Sequence, residues 1–465
     1  MIRTAIVGCG NIGKRHVAVF DANPETKIMA LCDENTQKAQ TIDDKYGNLY
    51  MVTNMFFDII NMPEIDLVSI CTPHFLHKEM TVEALRKGKH VLVEKPMALN
   101  VKDSMEMIEV SKEVNRRLYV MKQNRFNVPI TLTKEALDNG RLGKIFMVQC
   151  NVYWNRNPEY YSDSDWRGYK EKEGGALFTQ ASHFIDLLIW WFGDVTDAKA
   201  MVDTKMQQIE VEDCGNAVMD FASGVQGSIT WTTCVYNRNF EGSITIIGEK
   251  GTVKIGGAYL NKIDYWDVQS YPLPNNINFA DLPNNYGKYQ GTSSNHHKVV
   301  DEIVKDLNGI KSDIVEGEEG IKSIEAIEMI YNNAQEKKYL YGCTIGENTF
   351  IGPFVEIQKN VTIGQKCKIQ SHSFVCEWVE IGDQCFIGHG VMFINDAFIE
   401  GKPAGGNKDL WKETKIGNKV SIGSNATILP VSICDRVVVG AGAVVTKDIT
   451  EPGTYVGNPA KKLNS

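Results

Sequence analysis

The segment CTIGENTFIGPFVEIQKNVTIG, residues 343–364, places isoleucine at 345, 351, 357 and 363, one every six residues. Neither regular element has that period, since an amphipathic helix repeats at 3.6 and a half-buried strand at 2. The aliphatic position continues through Ile369, Val375, Ile381, Ile387 and Phe393. It breaks over AFIEGKPAGGNKDLWKE (397–413) and resumes at Ile416, Ile422 and Ile428. After one five-residue step it runs through Ile433, Val439 and Val445. A period of six demands short strands joined by tight turns, each sending one aliphatic side chain inward. Three segments close one triangular coil of about 18 residues, and stacking buries an aliphatic column that no single repeat could bury alone. The spacing predicts three coils, a loop excursion of about seventeen residues and two further coils.

The front of the chain carries a different signal. TAIVGCGNIGKRH reads as a strand, a Gly8-x-Gly10-x-x-Gly13 turn and the start of a helix. Such glycines let backbone approach a pyrophosphate, whose charge the helix N-terminus favours, so Gly8, Gly10, Asn11, Ile12 and Gly13 are expected at a dinucleotide. A second strand, KIMALCD, ends at Asp33. A carboxylate there accepts from a ribose 2′-hydroxyl and repels a 2′-phosphate, which favours NAD over NADP. IDLVSICTPHFLH and KHVLVEKPMALN read as two more strands, ending near Thr72 and at Glu94-Lys95-Pro96. AVMDFASGVQGSITWTT and SITIIGEKGTVKIGG read as hairpins around Ser-Gly and Lys-Gly turns.

At 465 residues the chain is long enough for several domains, and we expect three, at 1–122, 123–340 and 341–465. A net charge of −9 argues against a nucleic-acid partner, and no apolar run approaches the roughly 18 residues of a membrane span. Eleven cysteines are scattered without metal-ligand spacing and read as buried thiols, with no metal expected. The N-terminus enters a strand directly, so no signal peptide is expected and a cytoplasmic location is.

The motifs GCGNIG, CTPHFLH and VEKP, in this order, resemble the Gfo/Idh/MocA oxidoreductase family (glucose–fructose oxidoreductase and inositol dehydrogenase), and the resemblance extends over roughly residues 1–340. It continues in KQNRFN (122–127), GGALFTQASHFIDLLIWWFG (174–193) and SNHHKVVDEIVKDL. It implies an α/β Rossmann domain followed by an α+β open mixed sheet that holds substrate. It also implies that Lys95 is the catalytic base beside the nicotinamide. His183 would orient Lys95 or the substrate hydroxyl, or relay the proton. Thr72, His77 and Glu94 would border the cofactor, with helix capping an equal reading for His77. Arg125 and Asn295 fall within the matching segments and are expected at substrate. Many members carry an aspartate four residues before the histidine, where this chain has Thr179. That departure is similar to bacterial 3-dehydrogenases of UDP-N-acetylglucosamine derivatives, notably of its uronate (UDP-GlcNAcA). The stretch VYWNRNPEYYSDSDWRGYK (152–170) offers Tyr153, Trp154, Arg156 and Trp166 either for sugar stacking and anion binding or for domain-interface packing.

Residues 341–465 resemble the left-handed β-helix (hexapeptide-repeat) acyltransferases, an all-β parallel fold. Members are usually trimers, with acyl-CoA between neighbouring prisms. GAGAVVTKD and GNPAKK match the CoA-end motifs, which implies CoA contacts at Ala441, Lys447 and Pro459. CFIGHGVMFINDAF is similar to nucleotide-sugar 3-N-acetyltransferases of this fold, which implies that Asn395 and Asp396 hold the sugar amine. His389 is an alternative base or a solvated coil-surface histidine, and the loop is expected to close over a neighbouring subunit's site. Taken together, the resemblances imply a bifunctional enzyme using NAD and acetyl-CoA. One half would oxidise the 3-hydroxyl of UDP-GlcNAcA. The other would acetylate the 3-amine made from that ketone by a separate pyridoxal-phosphate-dependent aminotransferase. A homotrimer or a multiple of it is expected. The alternatives are the same chemistry on UDP-N-acetylglucosamine or a dTDP-amino sugar, and a β-helix that serves only as a trimerising scaffold.

Overall fold

The computed structural model describes residues 1–465 apart from 276, 278, 280–282, 286–289, 336–338, 341, 399–400, 406 and 464–465. Side chains at 283–285, 290–293, 335 and 339 are also outside the description. The chain divides into two compact units, Met1–Ala334 and Gln335–Ser465. The expected boundary at 340/341 falls beside residue 341, outside the described residues.

The first unit begins with a six-stranded sheet. Its strands are β1 (Ile2–Val7), β2 (Thr26–Cys32), β3 (Met51–Thr53), β4 (Leu67–Ile70), β5 (His90–Val93) and β6 (Leu118–Val120). They run in the order β3-β2-β1-β4-β5-β6, and every pairing is parallel. The central strands β4 and β5 are near-continuous aliphatic runs, because helices cover both faces of a parallel sheet. Strand order reverses between β1 and β4, which opens a crevice at their carboxyl ends, where ligands bind in such sheets.

The remainder of this unit is a mixed sheet of β7 (Ile145–Tyr153), β8 (Val195–Asp203), β9 (Cys214–Phe221), β10 (Gln226–Thr232), β11 (Glu241–Gly248), β12 (Gly251–Gly256) and β13 (Lys262–Val268). Their order is β13-β12-β11-β7-β10-β9-β8, with residues 334–335 at the edge. β7 and β10 pair in parallel; β9/β10 and β11/β12 are the two expected antiparallel hairpins. One face packs inward, so buried Ala217, Met219 and Phe221 alternate with exposed Asn216, Val218 and Asp220. The apolar helix Ser182–Phe192 is almost wholly buried and packs on the helix Gly317–Asn332, which also packs on Val101–Glu113. The helix His296–Leu307 packs on Asn11–Ala22.

The second unit answers the question of the six-residue period. Short strands, most of two or three residues, form three sheets in which each pairs in parallel with the strand a full coil later, apart from an antiparallel pairing of Gly453–Val456 with Lys461–Lys462 at the end. Ile345 pairs with Ile363, Ile351 with Ile369 and Ile357 with Val375, an offset of 18 on each face. The offset becomes 35 between Ile381 and Ile416 and between Ile387 and Ile422, which places the loop excursion between these coils, and it is 17 beyond it. This is the left-handed parallel β-helix of hexapeptide repeats, with three coils before the loop and two after. The inward column is closed to solvent: Ile357, Ile369, Val375, Ile387, Phe393, Ile422 and Ile428 are all fully buried. The corners follow the same period, since Asn348, Phe354, Asn360, Lys366, His372, Trp378 and Gln384 all have φ between 56° and 67°. Most of those seven are neither glycine nor asparagine, so side chains tolerate strain of order 1 kcal/mol each to keep the coil closed.

Because each coil rests on its neighbours, one cavity in the column weakens the whole stack. Ile369→Ala is expected to cost about 2–5 kcal/mol. Denaturant unfolding followed by circular dichroism should register the loss in the transition of residues 335–465, while residues 1–334 keep their own transition.

Candidate active sites

The dinucleotide cradle is built from β1 and the turn after it. Gly8 has φ +92°, and a Cβ there would lie 2.6 Å from the Cys71 carbonyl oxygen. A Cβ on Gly13 would lie 1.9 Å from the Gly8 carbonyl oxygen, so the helix can pack this closely only on glycine. A Cβ on Gly10 meets nothing within 4 Å, which leaves space above the turn. The helix Asn11–Ala22 has no side-chain cap, so its first amides are free to face an anion. Asp33 ends β2 with its carboxylate fixed by the amides of Cys9 (2.8 Å) and Asn35 (2.9 Å). These features fit a dinucleotide with a free ribose 2′-hydroxyl.

A cavity of about 590 Å³ opens over this turn, with Gly8, Gly10, Asn11, Ile12 and Asp33 at one end. Thr72, His77 and Glu94 line its middle. Lys95, His183, Thr179, Trp154, Arg156 and Trp166 line the far part. His77 is not a helix cap: its Nδ1 lies 2.8 Å from the Pro96 carbonyl and its Nε2 2.9 Å from the Thr72 carbonyl, so its ring sits between the ends of β4 and β5 and its N–H donates to one of those carbonyls.

Lys95 donates from Nζ to the Thr179 carbonyl at 2.7 Å. Burial lowers its pKa to about 8; Lys122 and Arg156 add to this, while Glu94 opposes it. The acceptor carbonyl belongs to a π-helical turn, Leu177–Ala181, which leads into the helix carrying His183. That turn is held from behind by Glu212, whose Oε1 accepts from the amides of Ala176 (2.9 Å) and Leu177 (3.3 Å), Tyr331 (2.7 Å) and Trp231 (3.1 Å). A Cβ on Gly175 (φ +124°) would come within 2.3 Å of the Tyr331 hydroxyl and 2.5 Å of Glu212, so the turn closes only with glycine there. His183 is buried, with Nε2 3.4 Å from the Gln123 amide. Burial, and then the charges of Lys95 and Lys122, push it well below the usual histidine range, so it is neutral.

Arg156 lies under the far wall, bonded to the Gln180 side chain and stacked 5.3 Å from both Trp154 and Tyr160. Trp166 meets His74 edge-on at 4.8 Å, and Arg167 stacks on Tyr160 at 4.0 Å. His74, Tyr160, Arg167, Gln123 and Gln180 line the cavity too; His74, Gln123 and Gln180 sit inside the matching motifs CTPHFLH, KQNRFN and GGALFTQASHFIDLLIWWFG without having been expected at the site. Tyr160 and Arg167 belong to the aromatic and cationic stretch 152–170, whose composition was their only signal.

Three residues expected at substrate lie elsewhere. Arg125 makes a bidentate pair with buried Asp186 (2.8 Å for both contacts), reaches Glu319 and stacks on Trp190, so its donors are committed to the fold. Tyr153 follows the alternation of β7 and points to the face opposite Trp154, where its hydroxyl donates to Asn151 at 3.1 Å. Asn295 is buried and donates to Asn127 at 2.8 Å, joining two chain segments.

In the second unit, Asn395 and Asp396 stand at the exit from the third coil. The Asn395 amide donates to the Glu377 carbonyl at 3.2 Å. Asp396 accepts from the amides of Phe398 (2.9 Å) and Ala404 (2.8 Å), one on each oxygen. Each oxygen retains a second lone pair for another donor. The excursion is tied to its own coil: Lys408 binds both oxygens of Glu377 (2.7 and 3.0 Å) and lies over Trp411, which packs on Trp378 at 6.0 Å. His389 is an exposed corner residue bonded to Ser371 at 2.8 Å. Ala441, Lys447 and Pro459 are all exposed on the last coils.

Residues 2–122 match the oxidoreductase family with an NAD-binding Rossmann fold, and residues 134–341 match the C-terminal alpha/beta domain of that oxidoreductase family. Residues 342–377 match the bacterial transferase hexapeptide, and residues 413–447 the hexapeptide repeat of succinyl-transferase. The chain is 30% identical to Oxidoreductase P35 of Formosa agariphila over 257 residues, covering 54% of this chain and 78% of that one. It superposes with a TM-score of 0.64 on the WlbA dehydrogenase of Bordetella pertussis in complex with NADH and UDP-GlcNAcA, at 35% identity over 72% of this chain and 96% of that chain. The WlbA dehydrogenase of Chromobacterium violaceum, bound to the same two ligands, gives a TM-score of 0.64 at 34% identity, covering 72% and 93%. The chain belongs to the Gfo/Idh/MocA oxidoreductase family and joins to it a hexapeptide-repeat β-helix.

The contact between Gly13 and the Gly8 carbonyl yields a direct check. Gly13→Ala is expected to displace the first turn of the helix and to weaken NADH binding at least tenfold, read by fluorescence titration of the purified protein.

Proposed function

We propose that this member of the Gfo/Idh/MocA family oxidises the 3-hydroxyl of UDP-GlcNAcA with NAD, and that its β-helix acetylates the corresponding 3-amine with acetyl-CoA. The observation that carries the first half is the cavity itself. It joins a cradle fit for NAD to a partly neutral Lys95 and a cationic, aromatic far wall. The likeness to two dehydrogenases solved with NADH and UDP-GlcNAcA supports the choice of sugar.

The chain's own groups divide the work. The Gly8–Gly13 turn and the helix N-terminus would hold the pyrophosphate, Asp33 the adenosine ribose, and Thr72, His77 and Glu94 the middle of the cofactor. When bound, oxidised nicotinamide supplies the hydride acceptor. Lys95 accepts the hydroxyl proton at Nζ, where a pKa of about 8 lets a useful fraction be neutral near physiological pH. The Thr179 carbonyl aims that amine. Neutral His183 is placed to orient the hydroxyl or to relay the proton. Arg156 and Arg167 supply positive charge for the uronate carboxylate or the diphosphate, and Trp154 and Trp166 supply flat surface for the sugar and base.

For the second half, a neutral amine already attacks a thioester readily, so orientation counts for more than a strong base. Asn395 and Asp396 would hold that amine, and Ala441, Lys447 and Pro459 would receive CoA. His389 is the alternative base. The FIND segment and the hexapeptide matches on both sides of the loop support a transferase over a scaffold. A homotrimer formed through the β-helix, and a separate aminotransferase acting between the two steps, complete this reading.

The test of the first half is NADH formation from UDP-GlcNAcA by the purified full chain. Turnover should depend on the uronate, with UDP-N-acetylglucosamine a poor substrate. Lys95→Met should lower kcat/KM by about 10²–10⁴. In the wild type kcat/KM should fall as pH drops below about 8, because protonation of Lys95 removes the base. Equal activity of the Lys95→Met variant, or preference for the non-uronate sugar, would contradict the assignment.

A further inference from the structure

Four polar side chains are sealed directly behind Lys95. His16, Ser69 and His296 are fully buried and Glu94 nearly so. They come from four elements: the helix Asn11–Ala22, β4, the helix His296–Leu307 and the end of β5. The Ser69 hydroxyl lies 2.7 Å from His16 Nδ1, and His16 Nε2 lies 2.9 Å from Glu94 Oε1. The consistent assignment has Ser69 donating to Nδ1 and Nε2–H donating to the carboxylate. The other Glu94 oxygen accepts the Lys95 amide at 3.1 Å. His296 Nε2 stands 3.8 Å from Glu94 Oε1, and neither of its ring nitrogens has a hydrogen-bond partner among the described residues. The direct His16–Glu94 contact leaves no room for an ion between those two groups.

This arrangement keeps one negative charge beside the reacting groups. Burial alone would push Glu94 up, but the hydrogen bond from His16 and the charge of Lys95 oppose it, and the carboxyl stays below the usual carboxylate range. The carboxylate also lines the cavity next to Lys95. The other groups acting on Lys95 are Lys122 and Arg156, which oppose its protonation, and Glu173, which favours it. His74, His77 and His183 are each pushed below the usual histidine range by burial.

We propose that Glu94 is the fixed counter-charge of the dehydrogenase site, stabilising in turn the oxidised nicotinamide ring and the Lys95 ammonium, and that His16 is the positioning residue that keeps it ionised. The proposal rests on the reading of the cavity as an NAD site. Oxidation of one carbinol carbon sends two electrons and one hydrogen as hydride to the nicotinamide, and sends the hydroxyl proton to Lys95 Nζ. The ring loses one positive charge as Nζ gains one. With Glu94 constant, the buried pocket holds the same net charge before and after, so neither side of the reaction leaves an uncompensated charge in a low-dielectric site.

The experiment separates charge from structure by titrating NAD and NADH in the absence of sugar. Glu94→Gln should weaken NAD binding at least tenfold more than NADH binding, because only the oxidised ring is charged. His16→Leu leaves the carboxylate in place but removes its hydrogen-bond donor, so it is no longer held ionised. In that variant the preference for NAD over NADH should fade as pH falls from about 7 to 5, while in the wild type it stays constant over that range. Equal losses for both cofactors, or an unchanged ratio in both variants, would overturn the counter-charge role. If Glu94→Gln does not fold, the pH dependence in His16→Leu decides alone. A wild-type chain that binds neither cofactor would instead remove the NAD reading, and the proposal with it.

Discussion

The 2.7 Å hydrogen bond from Lys95 Nζ to the Thr179 carbonyl is the contact around which the front unit is arranged. It ties the end of a Rossmann strand to a π-helical turn at the head of the helix bearing His183. Each side is braced from behind. His77 sits between the carbonyls of Thr72 and Pro96 and donates to one of them, and Glu212 gathers the amides, hydroxyl and indole that define the other turn. A buried amine is expensive to hold as a cation, and that expense makes Lys95 usable as a base. Function and local instability therefore share one origin here.

The second unit depends on a different constraint. Each six-residue edge sends inward one large aliphatic and the smaller side chain two positions before it, so Ile, Val and an occasional Phe fill the column with mostly Val, Cys or Ala beside them. Regularity elsewhere makes the interruption informative. The excursion after Phe393 is pinned by Asp396, by the Lys408–Glu377 pair and by Trp411 on Trp378. These contacts hold its described residues to their own coil, which gives Asn395 and Asp396 defined positions.

The features readable in the sequence were those set by local geometry. The Gly8-x-Gly10-x-x-Gly13 turn and the six-residue column each follow from steric rules acting over a few residues, and both appear as expected. The features that escaped depend on partners far along the chain. Nothing near Arg125 reveals that Asp186 and Glu319 bind it, and nothing near Asn295 reveals Asn127. A cation or amide in a matching motif looks the same whether it meets substrate or the core. His16, Glu94 and His296 likewise span nearly three hundred positions before they meet. Tyr153 shows a finer limit, since a one-residue step on a strand reverses the face and separates it from Trp154.

A Gfo/Idh/MocA oxidoreductase and a hexapeptide-repeat β-helix are joined in one chain, and the proposed function has both halves act on one sugar. The most direct measurement is acetyl transfer from acetyl-CoA to UDP-2-acetamido-3-amino-2,3-dideoxyglucuronate, read as released thiol, with the full chain and with Asn395→Ala. The account predicts turnover by the wild type and a large loss in the variant. Absence of thiol release, together with absence of CoA binding, would contradict it and leave the β-helix as a stand for the dehydrogenase.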